Sequence, residues 1–390
     1  MKRNTDFFID IDYTSINKHG QIVCGDVFLS RREKKEGRLA AVLSDGLGSG
    51  IKANVMATMT ASMAMNFILA DQSIERGART IQNTLPQDEI RKISFASFTI
   101  IDTGYDGDTR IIEYGNPQSL IFRNTARISF EQSIDMNPET LTVNSMKVQK
   151  GDRIVLFSDG VSQSGIGRDD MPFGWDIEAL SEFISWNIGC DSQVSAHDLC
   201  RKIVTKANHN DHYLPKDDIT CAVLYFRDPR SLIVCSGPPY TPDKDSWVAD
   251  YLANFSGEKV ICGGTTAQII SRELNLNLEI DLFSGFEGIP PVSFMDGINL
   301  ITEGILTLGK VSETLSDGSY LNLSEKNPAR MLIDRLLLND QITFLVGTKI
   351  NEAHQDPNLP SELDIRRNVI KRIANILENN FFKTVDTIYV

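Results

Sequence analysis

From Phe7 to Val27 apolar and polar positions alternate on either side of Lys18-His19-Gly20-Gln21. That period of two, broken by a turn, predicts a β-hairpin whose second strand ends at Cys24-Gly25-Asp26. A charged loop follows over residues 31–38. Leu39-Ala-Ala-Val-Leu43 is an uninterrupted apolar run, the pattern of a strand buried on both faces, and it leads straight into Ser44-Asp-Gly-Leu-Gly-Ser-Gly50. Residues 51–69 then read as a long helix rich in Ala and Met. Its most apolar part, Val55 to Ala70, is shorter than the roughly 20 residues a bilayer requires and is diluted by Thr, Ser and Asn, so a buried helix is expected.

Strand-like runs recur at residues 93–101, 110–114, 119–122, 153–157 and 219–226, with turns at Gly104-Tyr-Asp-Gly107, Gly115-Asn116 and Gly151-Asp152. Helical patterns occupy residues 177–188 and 195–207. Strands outnumber helices and the connections are short, which predicts an α+β domain with largely antiparallel sheets. Past Arg227-Asp-Pro-Arg230 the rhythm changes to β-α alternation: a strand at 232–235, a helix at 245–255, a strand at 260–262 and a helix ending near Glu273. A final amphipathic helix from Ser361 carries Leu363, Val369, Ile370, Ile373 and Leu377 on one face, and a strand is expected at 384–390. A chain of 390 residues exceeds a single core. The expected division is 1–228, followed by a smaller α/β domain at 229–390 with a regulatory or partner-binding role.

A formal charge of -13 argues against a nucleic-acid binder, whose affinity comes from clustered basic residues. The start of the chain has basic residues but not the long apolar stretch of an export signal, and no membrane partner is indicated. Cys24, Cys190, Cys200, Cys221, Cys235 and Cys262 are scattered without a CxxC pair, so reduced thiols in a cytoplasmic protein are expected. The oligomeric state is left open, a homodimer included.

Four segments each place an acidic residue beside a small one at the edge of an apolar strand: Gly25-Asp26, Asp45-Gly46, Asp159-Gly160 and Asp217-Asp218. Any one alone is an ordinary turn. Four carboxylates converging would repel one another, and hard divalent cations remove that cost; oxygen donors suit magnesium or manganese, whereas zinc would call for His and Cys. The glycine after Asp45 lets the backbone come close enough to offer its carbonyl.

In this order, Gly25-Asp26, Ser44-Asp-Gly-Leu-Gly-Ser-Gly50, Tyr114-Gly-Asn116, Gly151-Asp-Arg-Ile-Val-Leu-Phe-Ser-Asp-Gly160 and Asp217-Asp-Ile-Thr220 resemble the metal-dependent protein phosphatases of the type 2C class, in their bacterial stage II sporulation protein E-like branch, over residues 5–226. The resemblance implies a sandwich of two antiparallel sheets flanked by helices. It also implies two divalent cations, Mn2+ or Mg2+: Asp45 bridging both, Asp26 and the Gly46 carbonyl serving one, Asp159 and Asp217 the other, with Asp218 adjacent. Asp45, Asp159 and Asp217 are thereby the catalytic candidates. The implied reaction is attack of a metal-activated water on phosphoserine or phosphothreonine, and the implied partner is a phosphoprotein such as an anti-sigma-factor antagonist. Leu47 stands where many eukaryotic members carry a histidine, and the phosphate-clamping arginine has no clear match beyond Arg31 or Arg32. In this branch the helix after the Asp-Gly turn acts as a switch; residues 51–69 fit that role or that of a plain core helix.

Lesser signals have two readings each. His209-Asn-Asp-His212 has metal-ligand spacing but reads better as a solvated loop, and Arg366, Arg367, Lys371 and Arg372 as a solvated basic face. Gly263-Gly264-Thr265-Thr266 sits between a strand and a helix, where backbone N–H groups hold anions; it lacks a P-loop lysine and a third glycine, and a tight turn with Thr capping the helix explains it as well. Two alternatives to the protein phosphatase follow: a binding module with weak or switched-off activity whose second domain senses an anion, and a phosphatase of small metabolites.

Overall fold

The structure is a computed structural model that describes residues 7–33, 37–70, 74–84, 96–137, 141–281, 290–349, 362–381 and 383–390. It divides into two compact units, Met1–Asp228 and Pro229–Val390.

The strands of the first unit are β1 (Phe8–Ile16), β2 (Asp26–Glu33), β3 (Arg38–Gly46), β4 (Ala96–Gly104), β5 (Asp108–Tyr114), β6 (Leu120–Arg123), β7 (Ala126–Ile128), β8 (Gln132–Asn137), β9 (Leu141–Lys147), β10 (Asp152–Phe157) and β11 (Ile219–Arg227). Its helices are α1 (Ile51–Leu69), α2 (Ile74–Thr84), the single turn α3 (Asp159–Ser162), α4 (Ile177–Cys190) and α5 (Ala196–Asn210). One antiparallel sheet runs β1-β11-β10-β6-β7 and a second runs β2-β3-β4-β5-β9-β8.

Strand parity explains the layering. In β3, Leu39, Ala41 and Leu43 enter the core between the sheets, beside Phe28, Ile154, Leu156, Ala222 and Leu224. The alternate residues Ala40 and Val42 pack outward with Ala61, Ala64 and Ile68 of α1. Both faces of β3 are therefore covered, which is why its sequence is continuously apolar. On the far side Val155, Phe157, Cys221 and Val223 meet Leu180 and Ile184 of α4 and Leu199 and Ile203 of α5. Ser195 caps α5 and Asp176 caps α4, each accepting a backbone N–H. The result is the expected α+β sandwich flanked by helices.

The expected hairpin over residues 7–27 does not form. β1 pairs with β11, from Phe8 opposite Arg227 to Ile16 opposite Ile219, while β2 begins at Asp26 and pairs with β3. Alternation looks the same whether two strands share a sheet or face each other across a core, so periodicity could not separate the cases. The expected charged loop is shorter than residues 31–38, because Arg31, Arg32 and Glu33 complete β2, an edge strand where exposed charge discourages further pairing. Helix α1 is buried on one side only: Ile51, Val55 and Met59 are exposed. The strand expected at 93–101 is seen from Ala96; residues 93–95 lie outside the described residues.

The second unit contains β12 (Ser231–Ser236), α6 (Asp245–Ala253), β13 (Glu258–Cys262), α7 (Gly264–Leu274), β14 (Glu279–Ile280), β15 (Ser293–Phe294), β16 (Leu300–Thr302), α8 (Ile305–Asp317), α9 (Pro328–Leu338), β17 (Gln341–Val346), α10 (Glu362–Asn380) and β18 (Thr384–Tyr389). The sheet order is β14-β15-β16-β13-β12-β17-β18, and the five strands from β16 to β18 are parallel. Helices α6 and α7 cover Ile233, Cys235 and Ile261 on one face. Helices α8, α9 and α10 cover Leu232, Val234 and Val260 on the other, with Ile370, Ile373 and Leu377 buried as the amphipathic pattern predicts. This is a doubly wound α/β layer.

One contact fixes the approach of α1 to β3. A Cβ on Gly46 would lie 2.1 Å from the carbonyl oxygen of Ala53, in the first turns of α1. Gly46→Ala is expected to cost roughly 2 kcal/mol or more, read as a lower denaturation midpoint in urea.

Candidate active site

The acidic residues reach one end of the sandwich through the same parity. Asp26 and Asp45 are direct cross-strand partners. They share the inward face of Phe28 and Leu43. From the opposing sheet, Ser158 continues the inward series Ile154, Leu156, and Asp218 and Thr220 precede Ala222 and Leu224 on theirs. The two ends are tied by the Ser158 N–H donating to Thr220 O (3.0 Å) and the Thr220 N–H donating to Ser158 Oγ (3.0 Å). Asp159 opens α3 directly after β10, and Gly160 beside it would place a Cβ 2.1 Å from the carbonyl oxygen of Asp218. Close backbone approach therefore requires glycine at both 46 and 160.

Asp26 is 5 % exposed, and neither of its carboxylate oxygens has a hydrogen bond of proper geometry. The hydroxyls of Thr220 and Ser158 lie near enough to favour its charged form but donate elsewhere, Thr220 to Ser15 Oγ (3.0 Å) and Ser158 to Asp218 O (3.4 Å). Burial pushes Asp26 up to about 7, and the charges of Asp218 and Asp159 push the same way. Burial, then Asp26, Asp159 and Asp217, hold Asp45 well above the usual carboxylate range. Asp159 is raised by burial and by Asp217, against the Gly160 N–H and Gln163 Nε2, which donates to its Oδ2 at 2.9 Å.

Asp217 and Asp218 have different environments. Asp218 is buried, and its Oδ1 accepts the Lys18 N–H at 2.9 Å. Asp217 is half-exposed; its Oδ1 accepts the Asp218 N–H at 3.0 Å and lies 3.7 Å from Lys18 Nζ. Among the described residues no three His, Cys, Asp or Glu side chains are already gathered tightly enough to form a ready-made ligand group. The carboxylates instead stand within electrostatic reach of one another, an all-oxygen set with two buried, unsatisfied oxygens on Asp26. Such a set fits a hard divalent cation better than zinc, which favours His and Cys.

Lys18 is the residue that sequence reading missed. It lies between β1 and β2, and the only available signal was its place in the Lys18-His19-Gly20 turn. Asn54 of α1 is a second, donating to Cys24 O at 2.8 Å and so tying the helix to the strand that carries Asp26. Asn116 proves architectural: it accepts from Ser97 Oγ (2.6 Å) and donates to Thr99 Oγ1 (3.1 Å) and Leu43 O (3.4 Å), clamping the ends of β3, β4 and β5.

Other candidates fall elsewhere. Arg31 and Arg32 pair with Ala40 and Leu39 at the opposite end of the ladder, five and six residues from Asp26, a span of roughly 16 to 20 Å. Neither reaches the carboxylates. His209 lies in the last turn of α5 rather than in a loop, and both it and His212 are exposed. In the second unit, Arg366 is buried rather than solvated, its guanidinium against Gly237. Gly263, not a threonine, caps α7, and no side chain accepts from that end.

The known proteins that this domain matches are phosphatases. Residues 35–227, all within the first unit, match the family model described as Stage II sporulation protein E (SpoIIE). Over 171 residues the chain is 26 % identical to the phosphoserine phosphatase RsbX of Bacillus subtilis (strain 168), which covers 43 % of this chain and 81 % of RsbX. It is also similar to the PP2C phosphatase domain with part of the regulatory domain of SpoIIE from Bacillus subtilis, at 17 % identity and a TM-score of 0.45, covering 57 % of this chain and 62 % of that one. RsbX in complex with magnesium matches at 17 % identity and a TM-score of 0.41, over 56 % of this chain and 95 % of that one. No helix among the described residues is long and apolar enough to cross a membrane.

The folded pKa of Asp26, about 7, lies above its ordinary value. The folded state therefore keeps a proton that the unfolded chain has lost, and stability falls as pH rises from about 4 to about 7. In chelator at pH 8, Asp26→Asn is expected to raise the melting temperature by roughly 5 °C. With excess Mn2+ the wild type gains stability and the variant gains much less, a reversal that a merely buried carboxylate would not give.

Proposed function

We propose that the first unit removes phosphate from phosphoserine or phosphothreonine in a protein substrate, with two divalent cations, Mn2+ or Mg2+. The observation that carries this reading is the buried Asp26 carboxylate, unsatisfied on both oxygens and surrounded by Asp45, Asp159 and Asp218. When bound, such a cation pair supplies an activated water and neutralises charge on the phosphoryl oxygens.

The chain's own residues have distinct roles. Asp45, which feels the charges of Asp26, Asp159 and Asp217, would be the ligand common to the two cations. Asp26 and the carbonyl of Gly46 would hold one, and Asp159 and Asp217 the other. Asp218, anchored by the Lys18 N–H, orients that second pair. The Lys18 ammonium, at the rim beside Asp217, meets the substrate phosphate and takes the part for which Arg31 and Arg32 are too distant. A phosphoprotein of the anti-sigma-factor antagonist kind suits the similarity to a phosphoserine phosphatase. The second unit regulates this activity or docks a partner.

The test is hydrolysis of a phosphoserine peptide with Mn2+, Mg2+ or chelator. Turnover is expected to need the cation and to fall at least 100-fold in Asp45→Asn and Asp159→Asn; metal-independent turnover, or variants near wild-type rate, would overturn the assignment. Lys18→Met is expected to raise KM for the peptide about tenfold with a smaller change in kcat, and Lys18→Arg to restore much of it.

A further inference from the structure

The parallel strands of the second unit end level with one another. Thr302, Cys262, Ser236 and Val346 form one row across β16, β13, β12 and β17. Each strand then leaves through a glycine, Gly304, Gly263, Gly237 or Gly347. In open α/β sheets this carboxyl edge is where ligands bind, because helix N-termini and strand ends meet there.

At β13 that edge has an unusual local chemistry. Gly263 has φ 133°, a conformation that favours glycine, and its N–H donates to Thr302 O at 2.9 Å. It begins the 11-residue α7, whose first turn holds no acidic residue and receives no side-chain cap. The first N–H groups of a helix have no intrahelical acceptor, and together with the helix dipole they attract an anion. Gly264 and Thr265 are exposed, so this end of the helix is open to solvent.

The second observation is independent of the helix end. Thr266 is only 2 % exposed, and its Oγ1 has no hydrogen-bond partner. That oxygen points back into the turn, 3.3 Å from where a Cβ on Gly263 would stand. On the neighbouring strand end, Ser236 Oγ is likewise buried without a partner. Buried hydroxyls left unsatisfied are costly, and a ligand oxygen at the turn would complete Thr266. The nearby Glu303 carboxylate is committed to α8, where its Oε2 accepts the Leu306 N–H at 3.0 Å.

We propose that the start of α7, with Gly263, Gly264 and Thr266, binds the phosphate group of a small molecule. The group is either free inorganic phosphate or the phosphomonoester of a metabolite such as a nucleotide. Backbone N–H groups of α7 and the Thr266 hydroxyl donate to its oxygens, and the missing side chains at 263 and 264 let it approach.

The test is amide hydrogen exchange of the α7 segment in the full chain, with inorganic phosphate, AMP or adenosine as probe; locating protection at α7 separates this site from phosphate held by the first unit. Two variants accompany it. Thr266→Val removes only the hydroxyl, and Gly264→Asp places a carboxylate on the helix end at a position with no heavy atom within 4 Å of its Cβ. Protection by phosphate or by AMP is expected, weakened about tenfold in apparent affinity by Thr266→Val and abolished by Gly264→Asp, with melting temperatures maintained. Protection by phosphate itself identifies the free anion, and protection by AMP alone a phosphomonoester. No protection by any probe, equal protection by adenosine, or protection that survives both variants would overturn the proposal.

Discussion

The first unit is organised around an electrostatic conflict: carboxylates from two facing sheets are brought to one end of an apolar sandwich, and one of the buried ones, Asp26, has no hydrogen bond of proper geometry on either oxygen. Burying a charge without a partner is among the costliest things a fold can do. Here burial and neighbouring Asp residues together raise the proton affinity of Asp26, Asp45 and Asp159. The surrounding architecture keeps the conflict from relaxing. Gly46 and Gly160 let the backbone close in to distances that any side chain would forbid, and Asn54 and Asn116 pin the strand ends in place. In the proposed function a divalent cation is the partner that offsets this cost.

Much of this was legible in the sequence, for identifiable reasons. Asp-Gly turns directly after apolar runs marked the strand ends, and the run 39–43 was continuous because sheet and helix cover both its faces. Helix α1 matched its expected bounds, and α4 and α5 formed where helical patterns were expected at 177–188 and 195–207. The acidic motifs were visible singly, but their convergence became an expectation only through their number and the family resemblance. Their geometry then follows from parity, since residues 26, 45, 158, 218 and 220 all fall on the inward face of their strands or continue it.

What stayed hidden is equally physical. Alternation cannot reveal a strand's partner, so β1 and β2 looked like a hairpin although they belong to opposite sheets. Lys18 was invisible because its role depends on the return of β11 beside β1, a pairing about 200 residues away in sequence. Arg31 and Arg32 looked plausible as phosphate ligands only until the ladder register set them at the wrong end of β2. In the second unit, periodicity gave the β-α rhythm but not the level row of strand ends, which depends on register across β16, β13, β12 and β17.

If the gathered carboxylates exist to hold cations, anomalous diffraction from crystals grown with Mn2+ will find them there. Two manganese peaks are predicted at the open end of the sandwich, both touching Asp45, one also at Asp26 and the Gly46 carbonyl and the other at Asp159 and Asp217. Manganese absent from that end in an intact fold, or bound only at His209 and His212, would contradict the account.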